Sequence, residues 1–408
     1  MQGSRGAEGR GSRGAEERKA EGRRQKGKGP VRDMTGTESI VDLKAAILEM
    51  IRRGPDQPRD DAAFNALALR LFAYQFQGNG PYRKYCEKRG RTPDKVQSWL
   101  EIPPVPIAAF KELTLTCEPV EHAVACFMTS GTTNPEKRGR HYHFTLEVYD
   151  ASATTFFKAN VLPDVDRLRL LILGSPPDLM PNSSLSHYLW LMCCKFGASG
   201  SSFYIGKEGL EADRLLADLR AAEQAGESVC FLGASFAFVH VLDLCGQQGL
   251  RFHLPAGSRV MDTGGFKGRS REVPQDALYG LIGEHLGVPA NRCVNMYGMT
   301  ELSMQCYDSS LRRARLGRQE VRTMEAPPWA RTIILDPETL AVAPEGEQGI
   351  ICHYDLANCS SVVGILTEDL GVVTREGFRF LGRVKGAESR GCSVSVDEML
   401  AAAGKTTP

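Results

Sequence analysis

"FMTSGTTNPEKRGR", residues 127–140, passes from apolar residues into a run of small hydroxyl residues around Gly131, followed by Lys137. Glycine lets backbone N–H groups approach an anion closely, and Thr129, Ser130, Thr132 and Thr133 set hydroxyl donors beside it. Lys137 brings the opposing charge. The stretch therefore reads as a strand that runs into a phosphate-binding loop. It is not a Walker A loop: G-x-x-x-x-G-K-[ST] needs Gly and Ser or Thr where Glu136 and Arg138 stand.

Outward from this loop the pattern changes twice. Upstream, "SIVDLKAAILEMIRRG" (39–54) puts Ile40, Leu43, Ile47 and Ile51 on one helical face and closes at Gly54, and "DDAAFNALALRLFAYQFQGN" (60–79) predicts a second helix. "IPPVPIAAFKE" (102–112) breaks the period with three prolines and reads as an extended connection. Downstream, the strand-like "RLRLLILGSPP", "SVCFLGAS", "GSRVMDTGG" and "NRCVNMYG" alternate with the helix-like "SLSHYLWLMCCKFG" and "EADRLLADLRAAEQAG". Strand after helix after strand predicts an α/β fold with a mostly parallel sheet flanked by helices, whose ligand crevice lies at the carboxyl ends of the strands. From about Pro328, "ARTIILDPETL", "EQGIICHYDL", "SVVGILTEDLGVVT" and "GFRFLGRV" are short strands between turn residues. The expected organisation is an α/β core over 34–327, a β-rich subdomain over 328–384 and a short C-terminal segment over 385–408.

Composition excludes several classes. The chain has 408 residues, 42% of them apolar, and a formal net charge of +1. That length can bury a large core. No apolar run is long enough to span a bilayer and no secretory h-region opens the chain, so a cytoplasmic protein without a membrane span is expected. Its twelve cysteines include no C-x-x-C pair, which argues against a zinc knuckle and for reduced, mostly buried thiols, Cys193 and Cys194 among them. Residues 1–33 hold ten Lys/Arg against five Asp/Glu, repeat "GSRGAE" and offer almost nothing to a core. They read as a disordered Gly/Arg-rich head with a start near Met34, and no nucleic-acid partner is assigned to them. His141, His143, His187 and His240 sit among apolar residues and are assigned packing or surface roles.

Three further segments join the hydroxyl-rich loop: "DTGGFKG" (262–268), "MYGMTE" (296–301) and "LTEDLGVVTREGFRFLGR" (366–383). Taken in this order the four resemble the adenylate-forming superfamily: the first its phosphate loop, the third its Y-G-x-T-E motif and the fourth its aspartate followed by G-R. "YRKYCEKRG", "IPPVPIAAFKE", "GGFKGRSREV", "YGMTELSMQCY" and "LGRVKGAESRGCS" are similar to the acyl-protein synthetase component of bacterial luminescence fatty acid reductase, over roughly residues 60–395. In the loop Asn134 replaces a common glycine, a position where left-handed backbone is still accessible to Asn.

The resemblance implies ATP-dependent activation of a carboxylic acid, with ATP and Mg²⁺ as cofactors and an acyl reductase as partner protein. It implies that Ser130, Gly131, Thr132, Thr133 and Lys137, with Thr129 at the loop's start, hold the β- and γ-phosphates. Gly264 and Gly265 line the adenine slot, Tyr297 stacks on adenine beside Gly298, Thr300 bonds the α-phosphate, Glu301 holds the metal, and Asp369 meets the ribose with Arg383 nearby. Superfamily CoA ligases continue into a further domain, whereas after Arg383 only "VKGAESRGCSVSVDEMLAAAGKTTP" remains, the short ending of the acyl-protein synthetases. There Cys392 matches the cysteine that takes the acyl group, and Lys385 and Arg390 favour its thiolate. Direct ligation to CoA is the alternative activity, and a non-catalytic descendant is a third.

Overall fold

The computed structural model describes residues 39–130, 138–265, 270–318, 322–383 and 390–404, the side chains of 390–394 excepted. Helix α1 (Ile40–Arg52) starts where Ser39 Oγ accepts from Val41 N; of the stripe read from the sequence it buries Leu43, Ile47 and Ile51, leaves Ile40 half-buried, and buries Leu48 as well. Asp60 caps α2 (Asp61–Gly78) by accepting from Ala63 N at 2.9 Å, and α3 (Gly80–Lys88) follows directly. The proline-rich connection is more than a link. Its Val105–Pro106 forms β1, which adds in parallel to a strand more than 250 positions downstream (Val105 beside Ile365), and it ends in the short helix α4 (Ala109–Glu112).

Next come the hairpin β2 (Ala125–Met128) and β3 (Arg140–His143), helix α5 (Glu147–Val161), β4 (Arg169–Leu173), α6 (Ser184–Phe196) and β5 (Ser202–Phe203). A small ribbon, β6 (Ile205–Gly206) with β7 (Gly209–Leu210), leads to α7 (Ala212–Ala225), β8 (Val229–Ala234), α8 (Ser235–Gln247), β9 (Arg259–Thr263) and α9 (Gln275–Leu286). Strands β10 (Cys293–Tyr297) and β11 (Cys306–Asp308), helix α10 (Ser310–Arg315), and strands β12 (Met324–Glu325), β13 (Ala330–Leu335), β14 (Gln348–Asp355), β15 (Gly364–Thr374) and β16 (Gly377–Arg383) complete the sheets; α11 (Arg390–Ala402) is the last helix.

Among the described residues one 12-stranded sheet runs β13-β14-β15-β16-β12-β11-β10-β9-β8-β4-β5, with β1 beside β15. From β5 to β10 neighbours are parallel; from β10 to β13 they are antiparallel. The β-rich stretch 328–384 is thus continuous with the parallel half, joined to it through β12 and β11. Successive strand residues point to opposite faces. Leu171, Leu173, Phe231 and Val260 enter a core with α7, α8 and α9, while Leu170, Ile172, Leu232 and Met261 enter the larger core with α5 and α6. Burial on both faces explains why these strands read as unbroken apolar runs.

The strand expected to run into the loop is β2, which pairs with β3 alone, outside the large sheet. One sequence expectation needs correction. Cys193 is half-buried and Cys194 exposed rather than core, because α6 turns Tyr188, Leu189 and Met192 inward, and Trp190 and Cys194, four apart, share the outer face. The remaining thiol expectation holds: Cys86, Cys230, Cys245, Cys293, Cys306, Cys352 and Cys359 are buried and in no disulfide.

Candidate functional site

The parallel strands β9 and β10 lie side by side, Met296 opposite Thr263, so their carboxyl ends release Gly264–Gly265 and Tyr297–Gly298 next to each other. Thr263 Oγ1 donates to Met296 O at 2.8 Å and ties the two exits together. Below them Asp262 is buried; it accepts from Ser235 Oγ and Tyr279 Oη at 2.7 Å and from Asn295 Nδ2 at 3.0 Å. Burial raises its carboxyl above the usual range against the pull of these donors. Gly264 has φ +72°, where a side chain would be strained, and both it and Gly265 are exposed at the strand end.

The chain turns at 298–305 from β10 into β11, and this turn carries Thr300 and Glu301. Asp355, fully buried, accepts from Ser303 N at 2.8 Å, Met304 N at 2.9 Å and Ala357 N at 2.9 Å, and so fixes the turn's far limb. Despite three backbone donors, burial lifts the Asp355 carboxyl to about 7. Glu301 is only 4% exposed. Burial raises its carboxyl to about 7 too, opposed by its own backbone N–H and the charges of Lys111 and Arg383.

The mouth of the hydroxyl-rich loop closes on that carboxylate. Thr129 N donates to Gly139 O at 3.0 Å and Gly139 N to Thr129 Oγ1 at 3.0 Å, across the loop's two ends. A Cβ added at Gly139 would stand 3.1 Å from Thr129 Cγ2 and 3.2 Å from Glu301 Oε1, so the glycine brings all three into close approach. Ser130 is exposed beside them. Gly131, Thr132, Thr133 and Lys137 lie outside the described residues, as do the head 1–33 and the side chain of Cys392.

Tyr297 and Asp369 also come together: the tyrosine hydroxyl donates to Asp369 Oδ2 at 2.8 Å, and Arg383 Nε stands 3.6 Å from Asp369 Oδ1. The Tyr297 ring is nearly buried among His353, Phe378 and the exposed Phe380. Arg383 is 72% exposed, so its pairing is screened and contributes little.

Sequence reading missed two groups. His141 Nδ1 lies 2.9 Å from Thr300 O, and Asp355 anchors the turn. Their only signals were polar residues within strands, His141 in β3 and Asp355 at the end of β14, which core and surface positions share. α11 begins two residues before Cys392 and packs on α3, β1 and α4; Met399 and Leu400 are buried, and Arg89 pairs with Glu398 at 2.6 Å. Among the described residues no group of His, Cys, Asp and Glu forms a metal cluster, and no helix is long and apolar enough to cross a membrane.

Comparison with known proteins agrees with this layout. The fold is similar to that of 2-hydroxyisobutyryl-CoA ligase with 2-HIB-AMP bound in the postadenylation state, at TM-score 0.61 and 15% identity over 82% of this chain and 70% of that one. The open conformation of the same ligase gives TM-score 0.59 at 16% identity, over 81% and 77%. At such identity the likeness concerns the fold alone. In sequence, a long-chain-fatty-acid–luciferin-component ligase of Vibrio harveyi is 22% identical over 343 residues, 81% of this chain and 86% of that protein. The protein of the same name from Aliivibrio fischeri is 21% identical over 349 residues, 82% and 88%. Residues 52–401 match the family model described as acyl-protein synthetase, LuxE, and the chain belongs to that family.

Proposed function

We propose that the protein is an AMP-forming acid–thiol ligase: it activates a long-chain fatty acid with ATP as the acyl-adenylate and passes the acyl group to a protein cysteine, Cys392. The observation that carries this reading is the convergence of Glu301, Thr129 and Gly139 at the mouth of the hydroxyl-rich loop, beside the paired strand ends, in a chain of this family.

In the first step a carboxylate oxygen bonds to the α-phosphorus of ATP, the bond to the bridging oxygen breaks, and pyrophosphate leaves. In the second the Cys392 thiol, having lost its proton, attacks the acyl carbon, and AMP leaves with the electron pair. Positioning and charge neutralisation are what the protein supplies. Thr129, Ser130, Gly131, Thr132, Thr133 and Lys137 hold the β- and γ-phosphates; Gly264, Gly265, Tyr297 and Gly298 bound the adenine; Thr300 faces the α-phosphate; Asp369, oriented by Tyr297, takes the ribose hydroxyls with Arg383 at the rim.

Glu301 fits Mg²⁺, which prefers oxygen ligands and is commonly held by one or two carboxylates together with substrate phosphates. When bound, the ion offsets phosphate charge. The chain's part is to keep the Glu301 carboxylate facing the loop mouth from a dry wall, where burial makes it a strong acceptor for a cation. An acyl reductase partner would take the acyl group from the thioester.

The reading is tested by acid-dependent exchange of labelled pyrophosphate into ATP over a panel of carboxylic acids, with and without CoA. Exchange with fatty acids and acylation of the protein in the absence of CoA support it. Release of acyl-CoA with no acylated protein would move the activity to CoA ligation.

A further inference from the structure

The return strand of the β2–β3 hairpin touches the Thr300–Glu301 turn through one buried side chain. His141 Nδ1 is 2.9 Å from Thr300 O, and a carbonyl only accepts, so the ring donates from Nδ1. Asn358 Nδ2 donates to Glu301 O at 3.1 Å. The carbonyls of both turn residues are therefore gripped by side chains from separate elements. Burial holds the His141 ring neutral, with its pKa lowered to about 4.

Next to this grip lies a small, partly open pocket of about 10 Å³, whose lining includes His143, Ser303 and Asn358. All three are at least nine-tenths buried, and His143 Nε2, Ser303 Oγ and Asn358 Oδ1 have no hydrogen-bond partner among the described residues. Buried polar atoms are rarely left unpaired, and one water needs roughly 10–15 Å³ and two to four polar partners. The space and the donors and acceptors match a single water.

We infer that His141 and Asn358 are positioning residues for the Thr300–Glu301 turn, and that one internal water held by His143, Ser303 and Asn358 completes their grip. The grip links the strand leaving the hydroxyl-rich loop to the turn bearing Glu301, so the two halves of the nucleotide site keep one spacing. The catalytic consequence rests on the acid-activation reading; the hydrogen bond and the water do not.

The test compares His141→Asn, whose side-chain N–H can replace the Nδ1 donor, with His141→Phe, which fills the space without one. In pyrophosphate exchange His141→Phe should lose on the order of 10- to 100-fold in kcat with little change in the KM for ATP, and His141→Asn should recover most of it. Equal loss in both variants, or a His141→Phe variant that exchanges like the parent, overturns the positioning role. Should His141→Phe fail to fold, ¹⁵N imidazole shifts of the parent decide: a neutral Nδ1–H tautomer supports the inference, and an Nε2–H tautomer overturns it. A parent with no exchange for any acid would sink the activity reading, while the ¹⁵N signature still judges the grip. A well-ordered crystal structure should show one solvent molecule bridging His143, Ser303 and Asn358; its absence there overturns the water site.

Discussion

Glu301 carries the residue-scale consequence that is simplest to measure. Its carboxyl goes from 4.5 to about 7 through burial. The folded state therefore binds a proton between those values that the unfolded chain has released, and stability from this group falls as pH rises through the window. Glu301→Gln removes the penalty. Urea unfolding should show the variant gaining on the parent between pH 5 and pH 8, by up to about 3 kcal/mol; an equal difference at both pH values contradicts the assignment. Pyrophosphate exchange should meanwhile be crippled in that variant. Tyr297→Phe keeps the ring but removes the 2.8 Å hydrogen bond to the buried Asp369 carboxylate. We expect a loss of about 1–3 kcal/mol in unfolding free energy and weaker ATP binding; a variant with parental stability and ATP affinity would show that this bond orients nothing. Tyr297, Glu301 and Asp369 were legible because each sits in a local pattern with its neighbours. His141 and Asp355 were not, because their roles are set by backbone groups more than fifty positions away.

Elements were legible where periodicity was strong and illegible where pairing decided. The helices over 40–52 and 61–78 follow from their apolar stripes and Ser and Asp caps. The proline-rich 102–112 gave only an extended conformation, since nothing local says that Val105 will meet Ile365. Likewise the strand at 125–128 carries no mark that it pairs with β3 instead of the large sheet. Helix α11 brings a prediction of its own. Its last turns bury Met399 at 0% exposure and Leu400 at 3%, and these contacts set where the helix that begins at Arg390 is held. Met399→Ala should cost about 2 kcal/mol or more of that docking. Acyl transfer to protein should then slow more than adenylate formation does. If both steps slow alike, or neither, α11 does not present the acceptor.

At the scale of the molecule, the site lies where the parallel and antiparallel halves of the sheet meet, at the β10–β11 turn. The order of motifs along the chain announced an α/β adenylate-forming fold, but not that 328–384 would extend the same sheet, because strand order is a long-range outcome. Removing residues 1–33 should leave the melting temperature unchanged, as the segment has almost no apolar surface to bury; a fall of several degrees would show that it packs.

If one chain both makes an acyl-adenylate and takes the acyl group on Cys392, the intact-protein mass after incubation with ATP, Mg²⁺ and a fatty acid will show it. The parent should gain one acyl group that neutral hydroxylamine removes, whereas Cys392→Ser should release pyrophosphate and form acyl-AMP without gaining a hydroxylamine-labile group. A labile acyl group on Cys392→Ser, or a parent that makes acyl-CoA and never carries one, would contradict the account.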